Sequence, residues 1–189
     1  MKGIIMYKKK LLNKIMVLLL LNIIILRFVT NECYANLDDL SFNNMNIEQG
    51  ISQATIETMF QDSKGYIWLG TNDGLNRYNG YEYKIYNYEE DQNSISHNGI
   101  TDITEDDYGN IWVSTVQGVN KINPSTGEIS NYTESNNKIK EDSTSEIIKT
   151  KDNKIIVGTY EGLSIFNEEK DCFEVLLDES DGIISNIVY

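Results

Sequence analysis

The chain has 189 residues, of which 40% are hydrophobic and 24% are charged, and its formal net charge is −13. This composition suits one ordinary globular domain and is too apolar for a disordered tail. The excess of acidic residues repels phosphate backbones and excludes a nucleic-acid partner, so we expect a neutral or cationic ligand, or one held through a cation. The only two cysteines are Cys33 and Cys172, too few for a disulfide framework.

Residues 1–35 are typical of an export signal. A lysine cluster at positions 8–10 precedes the apolar run Ile15–Leu26, and Cys33-Tyr34-Ala35 offers small residues to a signal peptidase. We predict a signal peptide cleaved after Ala35; an uncleaved membrane anchor is the alternative. Either outcome exports the remainder to the extracellular face of the cell membrane, because the positive leader stays inside.

A repeat of 44 residues dominates the remainder, residues 36–189, and its three copies align without a gap. We predict structural roles for the recurring residues. They are Trp68, Gly70, Thr71 and Gly74 in the first copy, Trp112, Thr115 and Gly118 in the second, and Gly158, Thr159 and Gly162 in the third. The tryptophans are expected to pack between neighbouring repeats, with a sugar-stacking platform as the alternative. The threonines are expected to bond across to the next repeat, and Gly70 and Gly158 to allow close backbone approach.

Each repeat contains four short strand signals separated by turn residues, which predicts a four-stranded antiparallel meander. In the first copy, Asn79-Gly80 suggests a two-residue hairpin before the last strand. Four-stranded sheets recurring every 40 to 50 residues, roughly, are typical of β-propeller blades.

The predicted fold is therefore all-β, with three four-stranded propeller blades and the start of a fourth in an incomplete ring. Leu40–Asn44 matches an isolated fourth strand, and the residues after Gly182 match the beginning of a new blade. An open arc leaves apolar faces and strand edges exposed, so residues 36–189 alone are expected to aggregate or associate. A ring completed by several copies of the chain is the alternative.

Asp62–Gly80 resembles the repeat of the two-component regulator propeller family. That repeat has an aspartate, a turn glycine, an Ile-Trp-apolar-Gly-Thr strand, a Gly-Leu pair and a Tyr-Asp or Tyr-Asn turn, and the resemblance extends over Leu40–Tyr189. The third copy departs from the pattern, because Thr150, Asn153 and Ile156 replace the aspartate, the turn glycine and the tryptophan.

The resemblance implies an N-terminal portion of a membrane receptor, with the propeller as its extracellular ligand-sensing part. It implies a sensor histidine kinase or a diguanylate cyclase as the missing output domain, the remainder of the receptor as a partner, and carbohydrate as a ligand class. The chain itself is then not an enzyme and binds no cofactor. A secreted propeller enzyme such as a lyase or a glycosidase, or a non-functional fragment, are the alternatives. A glycosidase needs two carboxylates in one cleft, and the sequence nominates no such pair.

Side chains suited to catalysis are scarce, and we predict no catalytic, cofactor-binding or metal site. His97 is the only histidine and lies in a polar loop signal, which favours a solvated residue. Cys172 opens a predicted outer strand with no histidine or basic cluster beside it, which favours an unreactive thiol.

A tyrosine cluster is the remaining candidate for recognition. Alternation along a strand places Tyr81 and Tyr83 on one face and Tyr86 and Tyr88 on the other. A wet outer strand of β-favouring residues is one interpretation. A contact surface for a sugar or for the second subunit of a homodimer is the other.

Overall fold

The computed structural model describes residues 14–19, 21, 47–90 and 92–182. The chain divides into two units, residues 1–43 and 44–189; in the first unit, residues 14–19 and 21 are helical. Most of the predicted signal segment lies outside the described residues, as do the predicted strand Leu40–Asn44 and the fourth-blade residues 183–189. Among the described residues, no helix is both long and apolar enough to cross a bilayer.

The second unit contains three four-stranded antiparallel sheets, each with its strands in sequence order. The first sheet has β1 (Thr58–Gln61), β2 (Ile67–Thr71), β3 (Gly74–Tyr78) and β4 (Tyr83–Tyr86). The second has β5 (Ile100–Glu105), β6 (Ile111–Thr115), β7 (Gly118–Ile122) and β8 (Ile129–Tyr132). The third has β9 (Thr144–Lys149), β10 (Ile155–Thr159), β11 (Gly162–Asn167) and β12 (Cys172–Leu177). Short 3-10 turns occur at Ile47–Gln49 and Glu179–Asp181.

The three sheets are consecutive propeller blades. The first strands of neighbouring sheets, β1 with β5 and β5 with β9, lie against each other and form the inner side of an arc. Two hydrophobic clusters fill the spaces between the sheets, one between blades 1 and 2 and the other between blades 2 and 3. The predicted all-β blade architecture is confirmed, and within the described residues the sheets do not close into a ring.

The two outward faces of the arc carry uncovered apolar side chains. Met59 on β1 is 71% exposed, whereas Ile103, its counterpart in the next repeat, is 4% exposed beneath blade 1. On the opposite side of the arc, Ile148 of β9 is 53% exposed. The strand position shared by Met59 and Ile103 is therefore part of the core when a neighbouring blade covers it and part of the surface when none does.

The connection before the fourth strand differs in length between blades, although the repeat as a whole keeps its 44-residue spacing. Tyr78 pairs with Tyr83, whereas Ile122, the counterpart of Tyr78, pairs with Ile129. The connection before the fourth strand thus has four residues in blade 1 and six in blade 2. The predicted gap-free alignment is wrong at this strand, because a hairpin loop can lengthen without disturbing the ladder.

Asn79-Gly80 does not form the predicted two-residue hairpin. The side-chain Oδ1 of Asn79 accepts hydrogen bonds from the backbone N–H groups of Tyr81 and Glu82, each at 2.9 Å. This Asx-type capping stabilises a four-residue loop in place of the tight turn, with Gly80 at a φ of 97°.

Candidate functional site

Each of the first two blades has a tryptophan held by an aspartate six residues earlier. In blade 1, Asp62 Oδ1 accepts hydrogen bonds from the backbone N–H groups of Lys64 and Tyr66, and Oδ2 accepts one from the indole Nε1 of Trp68 at 2.8 Å. Trp68 is fully buried and stacks on Tyr86, with ring centroids 5.7 Å apart. The carboxylate therefore joins the turn to the core of the blade.

Blade 2 repeats this arrangement. Asp106 accepts from the backbone N–H groups of Tyr108 and Asn110, and from the indole of Trp112 at 2.8 Å. Trp112 is 1% exposed and packs against Phe166 of blade 3 at 4.7 Å between ring centroids. Neither tryptophan can serve as a sugar platform, because both indoles are inside the structure.

Blade 3 lacks both members of the pair. Thr150 stands in the aspartate position and Ile156 in the tryptophan position, and the Thr150 hydroxyl accepts the backbone N–H of Lys154 at 2.9 Å. A hydroxyl is sufficient to cap the turn when no indole N–H has to be satisfied. The repeat pattern alone does not reveal the bond between aspartate and tryptophan, although the third copy lacks both residues together.

The recurring threonine and glycine at the second hairpin of each blade close that hairpin. The bonds run from Thr71 Oγ1 to Gly74 O at 2.8 Å, from Thr115 Oγ1 to Gly118 O at 2.9 Å and from Thr159 Oγ1 to Gly162 O at 3.1 Å. The hydroxyls therefore close their own hairpins, and Thr115 bonds across to blade 3 through its backbone, with the hydroxyl of Thr144. Each hairpin hydroxyl reaches the carbonyl three residues ahead because the chain reverses between them.

Close contact between blades occurs one residue before the threonine. A Cβ added to Gly70 would lie 2.6 Å from the side chain of Ile100 in blade 2, so a side chain has no room there. In blade 2 the counterpart is Ser114, whose hydroxyl donates to the backbone carbonyl of Ser145 in blade 3 at 2.7 Å. Gly158 is buried in the corresponding place of blade 3.

One carboxylate connects the inner strands of all three blades. Asp102 Oδ1 accepts a hydrogen bond from the Thr58 hydroxyl of β1, and Oδ2 accepts one from the backbone N–H of Ile147 in β9, each at 3.0 Å. Sequence reasoning missed this residue because its partners lie 44 and 45 positions away.

The four candidate tyrosines do not form one surface. Tyr81 is 96% exposed at the tip of the β3–β4 loop, and Tyr88 is 52% exposed beyond the end of β4. Tyr83 packs on Tyr78, with ring centroids 4.7 Å apart, and burial followed by the charge of Tyr78 raises its pKa above the ordinary value. Tyr86 is 7% exposed in the core, so a partner or sugar surface cannot include its ring face.

Groups suited to catalysis are not assembled in the described structure. The Nδ1 of His97 accepts the backbone N–H of Gly99 at 2.9 Å, which makes it part of a loop turn. Cys172 is partly exposed and unpaired by any disulfide. Over the described residues, no group of three or more histidine, cysteine or acidic side chains is placed to hold a metal ion.

Two grooves open beside the outer strands, where neighbouring blades meet. Groove 1, between blades 1 and 2, has a volume of about 270 Å³, and groove 2, between blades 2 and 3, about 220 Å³. Groove 1 is lined by residues that include Lys84, Tyr86, Asn93, Gly127 and Ile129. Groove 2 is lined by residues that include Asn110, Lys121, Ser130, Tyr132 and Asp171.

Groove 2 contains a closed polar network. The Tyr132 hydroxyl donates to Asp171 Oδ1 at 2.9 Å, and the Lys138 ammonium forms an ion pair with the other oxygen of that carboxylate. Burial first, and then the hydrogen bond and charge of Asp171, raise the pKa of Tyr132 well above its ordinary value. Burial acts to raise the pKa of Asp171 as well, but its bonds from Lys138 and Tyr132 outweigh burial and lower it.

The raised pKa of Tyr132 predicts alkaline sensitivity. The neutral phenol is favoured in the folded chain, so this stabilisation is complete below the unfolded pKa of about 10 and is lost as pH rises toward the folded value. In urea unfolding at about pH 9 and about pH 11.5, Tyr132→Phe should lose less stability between the two conditions than the parent chain. Tyr81→Phe, at an exposed position, is the control and should behave like the parent; an equal loss in Tyr132→Phe would contradict the prediction.

Comparison with known proteins identifies the repeat. Residues 50–73 and 94–117 match the family described as Two component regulator propeller. A stretch of 76 residues, 40% of this chain, is 37% identical to Histidine kinase P4 of Formosa agariphila, of which it covers 6%. The two segments that match the family include the Asp-Trp turns of blades 1 and 2.

Solved structures share the fold. The extracellular domain of BT3049 from B. thetaiotaomicron, described as a hybrid two component system, aligns with a TM-score of 0.64 at 24% identity over 73% of this chain and 20% of its own. The extracellular domain of BT4673 from the same organism, described as a one component system, aligns with a TM-score of 0.61 at 20% identity over 76% of this chain and 22% of its own. The chain thus spans about one fifth of each solved domain. The likeness to the two-component regulator propeller family rests on residues 50–73 and 94–117, and the likeness to the solved domains is one of fold.

Proposed function

We propose that this chain is the N-terminal portion of an extracellular sensing propeller in a membrane receptor of the two-component type. The observation that carries the proposal is the match to the family repeat, in register in blades 1 and 2, and it is supported by a 76-residue similarity to a histidine kinase. The small share of that kinase and of the solved domains that the chain covers supports a longer receptor. On this proposal, the remaining blades and a kinase or cyclase output domain are partners of this chain.

Three features support a binding role over an enzymatic one. The recurring aspartates, Asp62 and Asp106, accept hydrogen bonds from turn backbone groups and from the tryptophans, and so they are occupied by the fold. Among the described residues, no group of three or more histidine, cysteine or acidic side chains is placed to hold a metal ion, and the Nδ1 of His97 is occupied by the backbone N–H of Gly99. The polar grooves between blades are places where a small ligand can contact two blades at once.

Residues 1–35 supply the export step in this proposal, as a cleaved signal peptide or a retained anchor. A fusion of alkaline phosphatase after residue 182 tests it, because that enzyme is active only outside the cytoplasm. We expect an active fusion from the parent chain and loss of activity when Ile15–Leu26 is deleted. Equal activity of both fusions would contradict export by this segment.

The receptor role itself is tested by reading the transcript beyond codon 189. A continuous reading frame with further propeller repeats, a transmembrane helix and a histidine kinase or diguanylate cyclase domain is expected. A reading frame that instead encodes a complete secreted propeller with no output domain would overturn the receptor and favour the enzyme alternative.

A further inference from the structure

Grooves 1 and 2 are equivalent places in consecutive repeats. Tyr86 pairs with Leu75 in blade 1, as Tyr132 pairs with Val119 in blade 2, so the two tyrosines occupy the same strand position. Any difference between the grooves therefore reflects side chains and not a different backbone arrangement.

The residue facing each tyrosine from the next blade differs. Phe173 and Ile129 are equivalent, because each pairs with the same position of the strand before it. Asp171 and Gly127 each lie two residues before these positions and are therefore equivalent too. Both positions have a left-handed backbone, with φ of 49° at Asp171 and 78° at Gly127. Groove 1 therefore has a glycine where groove 2 has the carboxylate of its network.

The donors of that network are nevertheless present in groove 1. The hydroxyl of Tyr86 is buried and has no hydrogen-bond partner among the described residues. The ammonium of Lys84 lies 4.7 Å from the Tyr86 ring centroid, much as that of Lys138 lies 5.3 Å from the Tyr132 ring centroid. Lys84 forms no ion pair within the part of the chain that the structure describes.

We propose that groove 1 binds a small organic carboxylate whose carboxylate group takes the place of the Asp171 side chain. A buried hydroxyl without an acceptor is unfavourable, and a bound carboxylate satisfies it while pairing with Lys84. The volume of about 270 Å³ is suited to a single sugar acid. The net charge of the chain and Glu89, which also lines the groove, oppose an anion, and salt screens the long-range part of that repulsion.

Binding to the full chain in detergent tests the site, with glucuronate as the probe, glucose as the uncharged control and acetate as the minimal carboxylate. We expect glucuronate to bind at least about ten-fold more tightly than glucose and acetate to compete with it, since a hydrogen bond to a charged group is strong. Tyr86→Phe removes only the unpartnered hydroxyl, so it should fold and should weaken glucuronate binding by about ten-fold. Tyr132→Phe is the matched control in groove 2 and should leave the affinity unchanged.

A second variant supplies the missing carboxylate from the chain itself. A Cβ at Gly127 meets nothing within 4 Å, and Asp171 already has a similar φ, so Gly127→Asp can be accommodated. We expect Gly127→Asp to abolish glucuronate binding and to melt at a higher temperature than the uncharged control Gly127→Asn. Absence of binding by glucuronate and acetate, or binding unchanged in Tyr86→Phe or in Gly127→Asp, would overturn the proposal. These measurements use the chain alone, so their outcome is independent of the receptor test above.

Discussion

Asp106→Ala is expected to lower the free energy of unfolding by about 3 kcal/mol or more, because it leaves the buried indole of Trp112 and two partly buried backbone N–H groups without an acceptor. Asp106 is 6% exposed and accepts hydrogen bonds from two backbone N–H groups and from the indole of Trp112. Urea unfolding of the full chain, followed by tryptophan fluorescence, measures the loss. The indole N–H resonance of Trp112 should also shift, since its acceptor is gone.

The third blade provides the control for this prediction. Thr150→Ala removes the equivalent turn cap at a position that has no indole to satisfy. We expect Thr150→Ala to lower the free energy of unfolding by about 1 kcal/mol, the usual net contribution of one intramolecular hydrogen bond. If Asp106→Ala costs no more than Thr150→Ala, the aspartate acts as a turn cap alone and the bond to tryptophan adds nothing.

Gly118→Ala is expected to destabilise the chain by about 3 kcal/mol, through left-handed strain and a direct clash. Gly118 has a φ of 89°, and a Cβ there would lie 2.4 Å from the backbone carbonyl oxygen of Tyr132. A backbone atom of the neighbouring strand cannot move aside without breaking the ladder. The hairpin that carries the Thr115 bond must therefore distort.

Gly127→Ala separates strain from clash. Gly127 has a comparable φ of 78°, but a Cβ there meets nothing within 4 Å. Gly127→Ala should therefore lower the free energy of unfolding only by the cost of the left-handed conformation, about 1 to 2 kcal/mol. Equal losses for the two substitutions in the same urea titration would show that the contact with Tyr132 is relieved at no cost.

The internal repeats make such controls available throughout the chain. Asp62 and Asp106 perform the same task in two blades, whereas Thr150 shows what remains when the tryptophan is absent. In the same way, Met59 and Ile103 show one strand position without and with a covering blade. Stability in such arrays is approximately a sum of repeat and interface contributions, so differences between equivalent sites isolate the interface.

The functional site was much less predictable than the fold. The sequence singled out the tyrosine cluster, but Tyr86 belongs to the core and Tyr81 to an exposed loop, so these two share no surface. The unpartnered hydroxyl of Tyr86 becomes noticeable only beside the satisfied one of Tyr132. That comparison depends on how two neighbouring blades pack, which no pattern within one repeat specifies.

The blades of this protein can be predicted from the amino-acid sequence, because strands, turns and their order follow from local alternation and from turn residues such as Gly74. The 44-residue spacing likewise predicted their repetition along the chain. The contacts between blades, by contrast, depend on three-dimensional packing: Asp102 accepts from Thr58 and from the backbone of Ile147, and Tyr132 donates to Asp171. These partners lie about one repeat apart, and their distance in space depends on sheet packing, loop length and burial together.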